Sequence, residues 1–240
     1  MQEYVLAAIS EGLRKIVFLE HLEDGIRYFQ DTWLSEDKFD LYFKEGERLK
    51  KLYGHTIEIG LGVECGYNPD AVQSITRRLA QRKWDAVGIS CHFLKIDGLP
   101  HHLNLFSRNS LNLNLARHIG AERIIDQYLS TLTEAVNRLP GTKVCHLDGA
   151  LRWCAGIDMA ATHPEQIELL LQAVKKRSMS LEINTSGFAI RQMQFPSHPI
   201  LRRARYYHIP LVLGSDAHRP QDVGQSFAVL SSSLQSHNIL

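Results

Sequence analysis

No long apolar run, no excess of charge of either sign and no closely spaced cysteine pair occurs in this chain, and each absence removes a class of protein. A bilayer-spanning helix needs about 20 consecutive apolar residues, and no segment of the 240-residue sequence offers them. Basic residues number 27 against 26 acidic ones, a formal charge of +1. That balance argues against a broad electrostatic surface for nucleic acid or an anionic membrane. Clusters that interleave aromatic and basic residues, as single-stranded nucleic acid requires, are missing too. No nucleic-acid or membrane partner is expected. Cys65, Cys91, Cys145 and Cys154 lack the spacing of a zinc knuckle or ribbon. The opening MQEYVLAAISEGLRK has no basic flank ahead of a long apolar stretch, so a secretory signal is not expected. Reduced thiols in a cytoplasmic protein are the expectation.

What is there is a series of short apolar runs that stop on residues able to bind a metal. IVFLEH ends at Glu20-His21, IGLGVE at Glu64, AVGISCH at His92, KVCHLD at His146 and LVLGSDAH at Asp216 and His218. A sixth run, SLEIN, ends at Asn184 and continues into Thr185-Ser186-Gly187. In a barrel of parallel strands the strand ends gather on one face, where loops build the active site. Ligands scattered along the sequence would converge there. An open sheet binds at one switch point instead, so candidates at nearly every strand end favour a barrel. The length suits one domain, since α/β barrels reach this size.

Between these runs the spacing alternates to helical. Val5, Ala8, Ile9 and Leu13 predict a helix that Gly12 closes. Helices are also predicted over 34–53, 70–83, 121–139 and near 199–207, with Asn68-Pro69 as a cap and first turn. Strands are predicted at 15–19, 57–63, 86–91 and 143–147. Lys95 to Asn114, rich in His, Asn, Ser and Gly, reads as a long loop with His101 and His102 exposed on it. Thr162 followed by Glu165 reads as a capping box before IELLLQAV.

Each candidate ligand alone has an ordinary structural reading. Asp216 could cap a helix with His218 exposed, Glu64 could pair with an arginine, and His92 or His146 could be a satisfied core histidine. Their joint recurrence at equivalent places points to a metal site instead. A cluster of carboxylates and imidazoles suits divalent metals that activate water and offset charge on a phosphate ester. Such a site also needs donors for the phosphate; Arg108, Arg152, Arg191 and Asn184 are the candidates, with Ser186 as a further neutral donor. The fork of arginine matches phosphate oxygens. Cys65, Cys91 and Cys145 each adjoin a candidate ligand, so on a strand they point the other way, into packing.

The segments EYVLAAISEGLRKIVFLEH, GVECGY, ISCHF, CHLDGALR, EINTSGF and GSDAHRPQDVG resemble, in order and spacing, the PHP-type histidinol-phosphatases, named for polymerase and histidinol phosphatase. The resemblance covers nearly the whole chain. It implies a distorted TIM-like (β/α)7 barrel, a single PHP domain over 1–240, and up to three divalent metals (Zn, Mn or Fe). It further implies hydrolysis of L-histidinol phosphate, a small phosphorylated substrate, in histidine biosynthesis. Carried over position by position, His21, Glu64, His92, His146, Asp216 and His218 fall on metal-ligand positions, and Arg152, Arg191 and Arg108 on phosphate-contacting ones. Members of the family begin with a strand bearing His-x-His, and this sequence starts at Met1 in what corresponds to the segment after it. The barrel is therefore expected to lack its first strand, its first and last strands are expected not to pair fully, and fewer than three metals are expected. Three readings follow from the resemblance: a histidinol-phosphatase, a PHP phosphoesterase with another substrate, and a PHP domain that binds a phosphorylated ligand without turnover.

Overall fold

The computed structural model describes residues 1–237. Chain order runs through α1 (Gln2–Ser10), β1 (Lys15–Leu22), α2 (Glu36–Tyr53), β2 (Glu58–Gly66), α3 (Val72–Ala80) and β3 (Ala86–Ser90). A short hairpin, β4 (Phe93–Leu94) and β5 (Leu103–Asn104), leads to α4 (Ser110–Ile119), α5 (Ala121–Arg138) and β6 (Lys143–Val144). Then come α6 (Met159–Thr162), α7 (Pro164–Lys176), β7 (Ser180–Asn184) and α8 (Phe188–Arg191). The last elements are α9 (His198–Tyr206), β8 (Leu211–Gly214) and α10 (Phe227–Ser236).

Six strands form one parallel sheet in the order β1-β2-β3-β6-β7-β8. Parallel neighbours need a crossover, and the intervening helices supply it. One cavity of about 920 Å³ touches residues of both edge strands, so the sheet curls into a half-barrel. Among the described residues β1 and β8 do not pair with each other, as the sequence leads one to expect. The open side shows in the burial: β2 is buried from Ile59 onward, whereas β1 is half-exposed along most of its length and Leu213 of β8 is exposed. No described helix is long and apolar enough to cross a membrane.

Several expectations need correction. The stretch 95–114 is not one loop, because β5 and α4 lie within it, with the Asn109 side chain accepting from Leu111 N to cap α4. His102 is buried at 6 % exposure rather than displayed. Thr162 and Glu165 form no capping box. Pro164, with its fixed φ and missing N–H, takes the first helical position and makes His163 the cap residue. The strand expected over 143–147 stops at Val144, since His146 has φ +28° and cannot continue an extended ladder. Asn68 does cap the turn before α3, accepting from Asp70 N at 3.1 Å.

The core lies between the sheet and its outer helices, with Leu129, Leu132, Leu170, Leu171 and Val174 of α5 and α7 fully buried. Cys65 and Cys91 sit in it as expected. Cys145 turns the other way, its Sγ against Gly88 on the inner face of the sheet, because Val144 is the residue of that strand that packs into the helix-side core. Burial pushes each thiol's pKa upward, which suits packing rather than reactivity. Helix α2 approaches β2 closely at Gly46, where a Cβ would overlap both terminal methyls of Leu61. Nearby, Tyr42 Oη donates to the carbonyls of Gly62 at 2.9 Å and Phe18 at 3.2 Å. Gly46→Ala is expected to destabilise the fold by about 1–3 kcal/mol through overpacking, despite the better helix propensity of alanine. Urea unfolding checks this, and a midpoint unchanged or raised would contradict it.

Candidate metal centre

Strand register begins the assembly. His21 on β1 lies opposite Glu64 on β2, and Glu64 lies opposite Gly88 on β3. His92 follows β3 by two residues and His146 follows β6 by two. All four therefore rise from the same end of neighbouring strands.

The core of the site is a single carboxylate oxygen. Glu64 Oε1 lies 2.7 Å from His146 Nε2 and 3.0 Å from His92 Nε2. All three side chains are buried, and among the described residues no arginine reaches Glu64. The ordinary reading of Glu64 as half of an arginine ion pair is thereby excluded. His21 stacks edge-on against His92 with ring centroids 4.8 Å apart. Phe106 covers the imidazoles from the other side, 5.2 Å from His92 and 4.7 Å from His146.

Electrostatics follow from this geometry. Burial pushes the Glu64 carboxyl upward, but His146, His21 and His92 together hold it well below the usual carboxylate range. Burial opposes charge on His92, and Glu64 and Glu23 outweigh it, so the imidazole is pushed up to about 10. His21 goes the other way: its burial outweighs the attraction of Glu64 and lowers its pKa. A raised value on His92 contributes stability to the metal-free fold that is whole below the ordinary histidine pKa of 6.5 and is lost as pH rises through about 10. A cation taking up Nε2 must displace that proton. Metal binding is expected to release a proton and to tighten as pH rises from about 6 toward 10. Calorimetry in two buffers of different ionisation enthalpy measures the proton count, and affinity independent of pH would contradict the prediction.

Two groups of ligand atoms lie within 4.8 Å of one another: Glu64, His92 and His146, and His21, Glu23 and His92. Two imidazoles and a carboxylate, buried and without a competing arginine, fit a divalent ion such as zinc, manganese or iron. Residues Glu64, His92 and His146 would hold it.

Asp216 and His218 stand apart from this core. Asp216, at φ +50°, accepts from Ser186 Oγ at 3.2 Å and lies 3.6 Å from Arg152 Nη1. It lines the same open cavity as His21, Glu64, Glu182 and Asn184. His218 is exposed, with Nδ1 donating to its neighbour's carbonyl, Asp216 O, at 2.9 Å and its ring 6.4 Å from that of His21. The candidate ligands His21 and His218 are thus only loosely brought together.

The phosphate candidates separate clearly. Arg152 lies with its guanidinium 4.9 Å from the centroid of Phe106 and its Nη1 3.4 Å from Ser186 Oγ, beside the metal core. Its buried Nε has no partner. Arg191 is committed elsewhere: its donors reach the carbonyls of Leu151 at 3.1 Å and of Arg152 and Ile157 at 3.3 Å, so it braces the loop that carries Arg152. Arg108 is exposed on its loop. Asn184 is buried, donating to Glu182 Oε2 at 3.1 Å and accepting from Ser186 N at 3.0 Å and Ser186 Oγ at 2.6 Å.

Sequence reasoning missed two buried acids that touch the candidate ligands. Glu182 Oε2 accepts from the backbone N of His146 at 3.2 Å, and its Oε1 lies 3.6 Å from Lys143 Nζ, so it fixes the strained turn on which His146 sits. Glu23 Oε1 lies 2.6 Å from His92 Nδ1. Both stand two residues from a singled-out position, Glu182 from Asn184 and Glu23 from His21, and that same-face spacing was the available signal.

A curled parallel sheet whose strand ends deliver carboxylate and imidazole ligands to one cavity defines the class of metal-binding α/β barrels. The PHP domain family matches residues 1–186, and the chain belongs to that family. Its relatives include the "Probable histidinol-phosphatase" of Deinococcus radiodurans, 27% identical over 239 residues, which cover 95% of this chain and 83% of that protein. The histidinol-phosphatase of Bacillus subtilis is 24% identical over 247 residues, covering 95% of this chain and 90% of its own. Among solved structures, the histidinol phosphate phosphatase of Lactococcus lactis, complexed with zinc, L-histidinol and phosphate, superposes with a TM-score of 0.76 at 20% identity. That superposition covers 97% of this chain and 86% of the other, and it establishes a shared fold.

Proposed function

We propose that the chain is a metal-dependent phosphomonoesterase that hydrolyses L-histidinol phosphate to L-histidinol and phosphate. The observation that carries this reading is the convergence of His92 Nε2 and His146 Nε2 on Glu64 Oε1 beside the Arg152 guanidinium. The names of the relatives, and the histidinol and phosphate held by the Lactococcus protein, supply the substrate.

A divalent metal held by Glu64, His92 and His146 would supply Lewis acidity for activating water and offsetting phosphate charge. The chain's own residues do the rest. Arg152 is poised to meet the phosphate, its guanidinium oriented by Phe106 and by the carboxylate of Asp216. Asn184 and Ser186 fix the wall beside it through their mutual hydrogen bonds, with Ser186 Oγ 3.4 Å from Arg152 Nη1. Phe106 packs its ring against both imidazoles and limits their movement. On this reading 1–240 is one domain, and the groups sit at the strand ends of one sheet and on the loops that follow them.

Purified protein given zinc, manganese or iron is expected to release phosphate from L-histidinol phosphate far faster than from other small phosphate esters. Release from another ester alone would move the substrate assignment. A second reading, a PHP domain that binds a phosphorylated ligand without turnover, is favoured by the exposure of His218 and the pairing of Asp216 with Arg152. Ligand binding with no metal-stimulated phosphate release would establish it.

A further inference from the structure

His92 is held between two carboxylates, and the proposal above uses only one of them. Its Nε2 faces Glu64 at 3.0 Å, where His146 also converges, while its Nδ1 faces Glu23 at 2.6 Å. We infer that Glu23 is a positioning residue for His92: it accepts the Nδ1–H, fixes the ring, and so presents Nε2 to the metal. This rests on the reading that Glu64, His92 and His146 hold a metal.

Four features support it. Glu23 is 2 % exposed, so its carboxylate is placed at a cost that only a strong partner offsets. Its nearest arginine does not serve as that partner. Arg78 gives Nη1 to the backbone carbonyl of Glu23 at 2.8 Å and Nε to Glu36 at 2.5 Å, which holds the main chain of residue 23 and leaves the carboxylate to His92. The space for that carboxylate exists because residue 66 is glycine: a Cβ there would overlap both of its oxygens. Finally, the ring has little freedom to do otherwise, with His21 at 4.8 Å and Phe106 at 5.2 Å against it. Metal-bound histidines characteristically donate their second ring N–H to a carboxylate, which fixes tautomer and orientation and strengthens the ligand.

A competing role for Glu23 is direct ligation, since it also groups with His21 and His92. The two roles separate by stoichiometry. Glu23→Ala and Glu23→Gln would be compared with the parent for metal affinity, by competition with a chromophoric chelator, and for metal count per chain. Imidazole nitrogen NMR of the zinc-loaded proteins would report the tautomer of His92, and circular dichroism would report folding. Expected results are a loss of about 10–100-fold in affinity for Glu23→Ala at unchanged metal count. Glu23→Gln, which keeps an acceptor oxygen, should recover most of that loss. In the parent, His92 should show a protonated Nδ1 and a coordinated Nε2. Parental affinity in a folded Glu23→Ala would overturn the inference, and so would loss of one metal per chain in both variants, which would make Glu23 a ligand. Absence of metal binding in the parent itself would instead overturn the reading on which this rests.

Discussion

Glu64→Ala is expected to abolish metal retention and to lower phosphate release by well over 100-fold. The bound comes from comparison: even groups that only orient a ligand are worth about 10–100-fold in affinity or activity, and Glu64 is the point on which both imidazoles converge. The same substitution should weaken the metal-free fold, because it leaves His92, whose pKa is pushed up to about 10, buried without the charge that faces its Nε2. Breaking a buried pair from one side costs about 3–5 kcal/mol. Glu64→Gln keeps the volume and removes the charge, so it should lose metal while keeping more of the stability. Metal analysis after dialysis, steady-state turnover and urea unfolding of the metal-free protein measure the three effects. A Glu64→Ala protein that retains metal and turnover would remove Glu64 from the site.

The second large effect is expected at Arg152. Its guanidinium lies over the Phe106 ring and within 3.6 Å of the Asp216 carboxylate, with buried Nε unpartnered, so the fork is oriented before substrate arrives. A hydrogen bond to a charged group is worth about 1.5–3 kcal/mol, or about 10–100-fold in kcat/KM, and Arg152→Ala should lose that much. Arg152→Lys should recover little of it, since an ammonium neither stacks on Phe106 in the same way nor offers two parallel donors. Arg191→Lys is the contrast: Arg191 spends its donors on the carbonyls of Leu151, Arg152 and Ile157, so its loss should act through the loop and lower stability together with turnover. Steady-state kinetics with thermal melts of each variant separate the two. Full activity in Arg152→Lys would contradict the assigned role.

Much of the candidate site was legible because its candidate ligands sit where apolar strands stop. Glu64 and His21 could be read that way, and strand register then places them side by side. What the sequence could not show is how near the candidate ligands come to one another. His218 follows the same local pattern as the others but remains exposed, since a two-residue spacing fixes a face and not a distance. The arginines were ambiguous for a related reason. Arg152 and Arg191 both follow ligand-bearing segments, and only the chain path shows that one faces the site while the other braces its loop.

The fold was legible at the level of alternation and less so at irregular points. Helix α4 was hidden by its asparagines and serines, which locally favour turns, and only Asn109 as a cap and Gly120 at the end marked it. The strand at Lys143 was overestimated because apolar residues continue to Leu147, while the positive φ of His146 ends the ladder early. Glu23 and Glu182 went unread because their partners lie far away in sequence, His92 for Glu23 and Lys143 with the backbone N–H of His146 for Glu182.

X-ray absorption at the zinc edge of the metal-loaded protein tests the central claim most directly. With Glu64, His92 and His146 as ligands, the spectrum should show nitrogen and oxygen neighbours at about 2.0–2.1 Å, with the outer-ring scattering of two imidazoles. It should show no sulfur at about 2.3 Å. A sulfur shell, or a spectrum without imidazole scattering, would contradict the account.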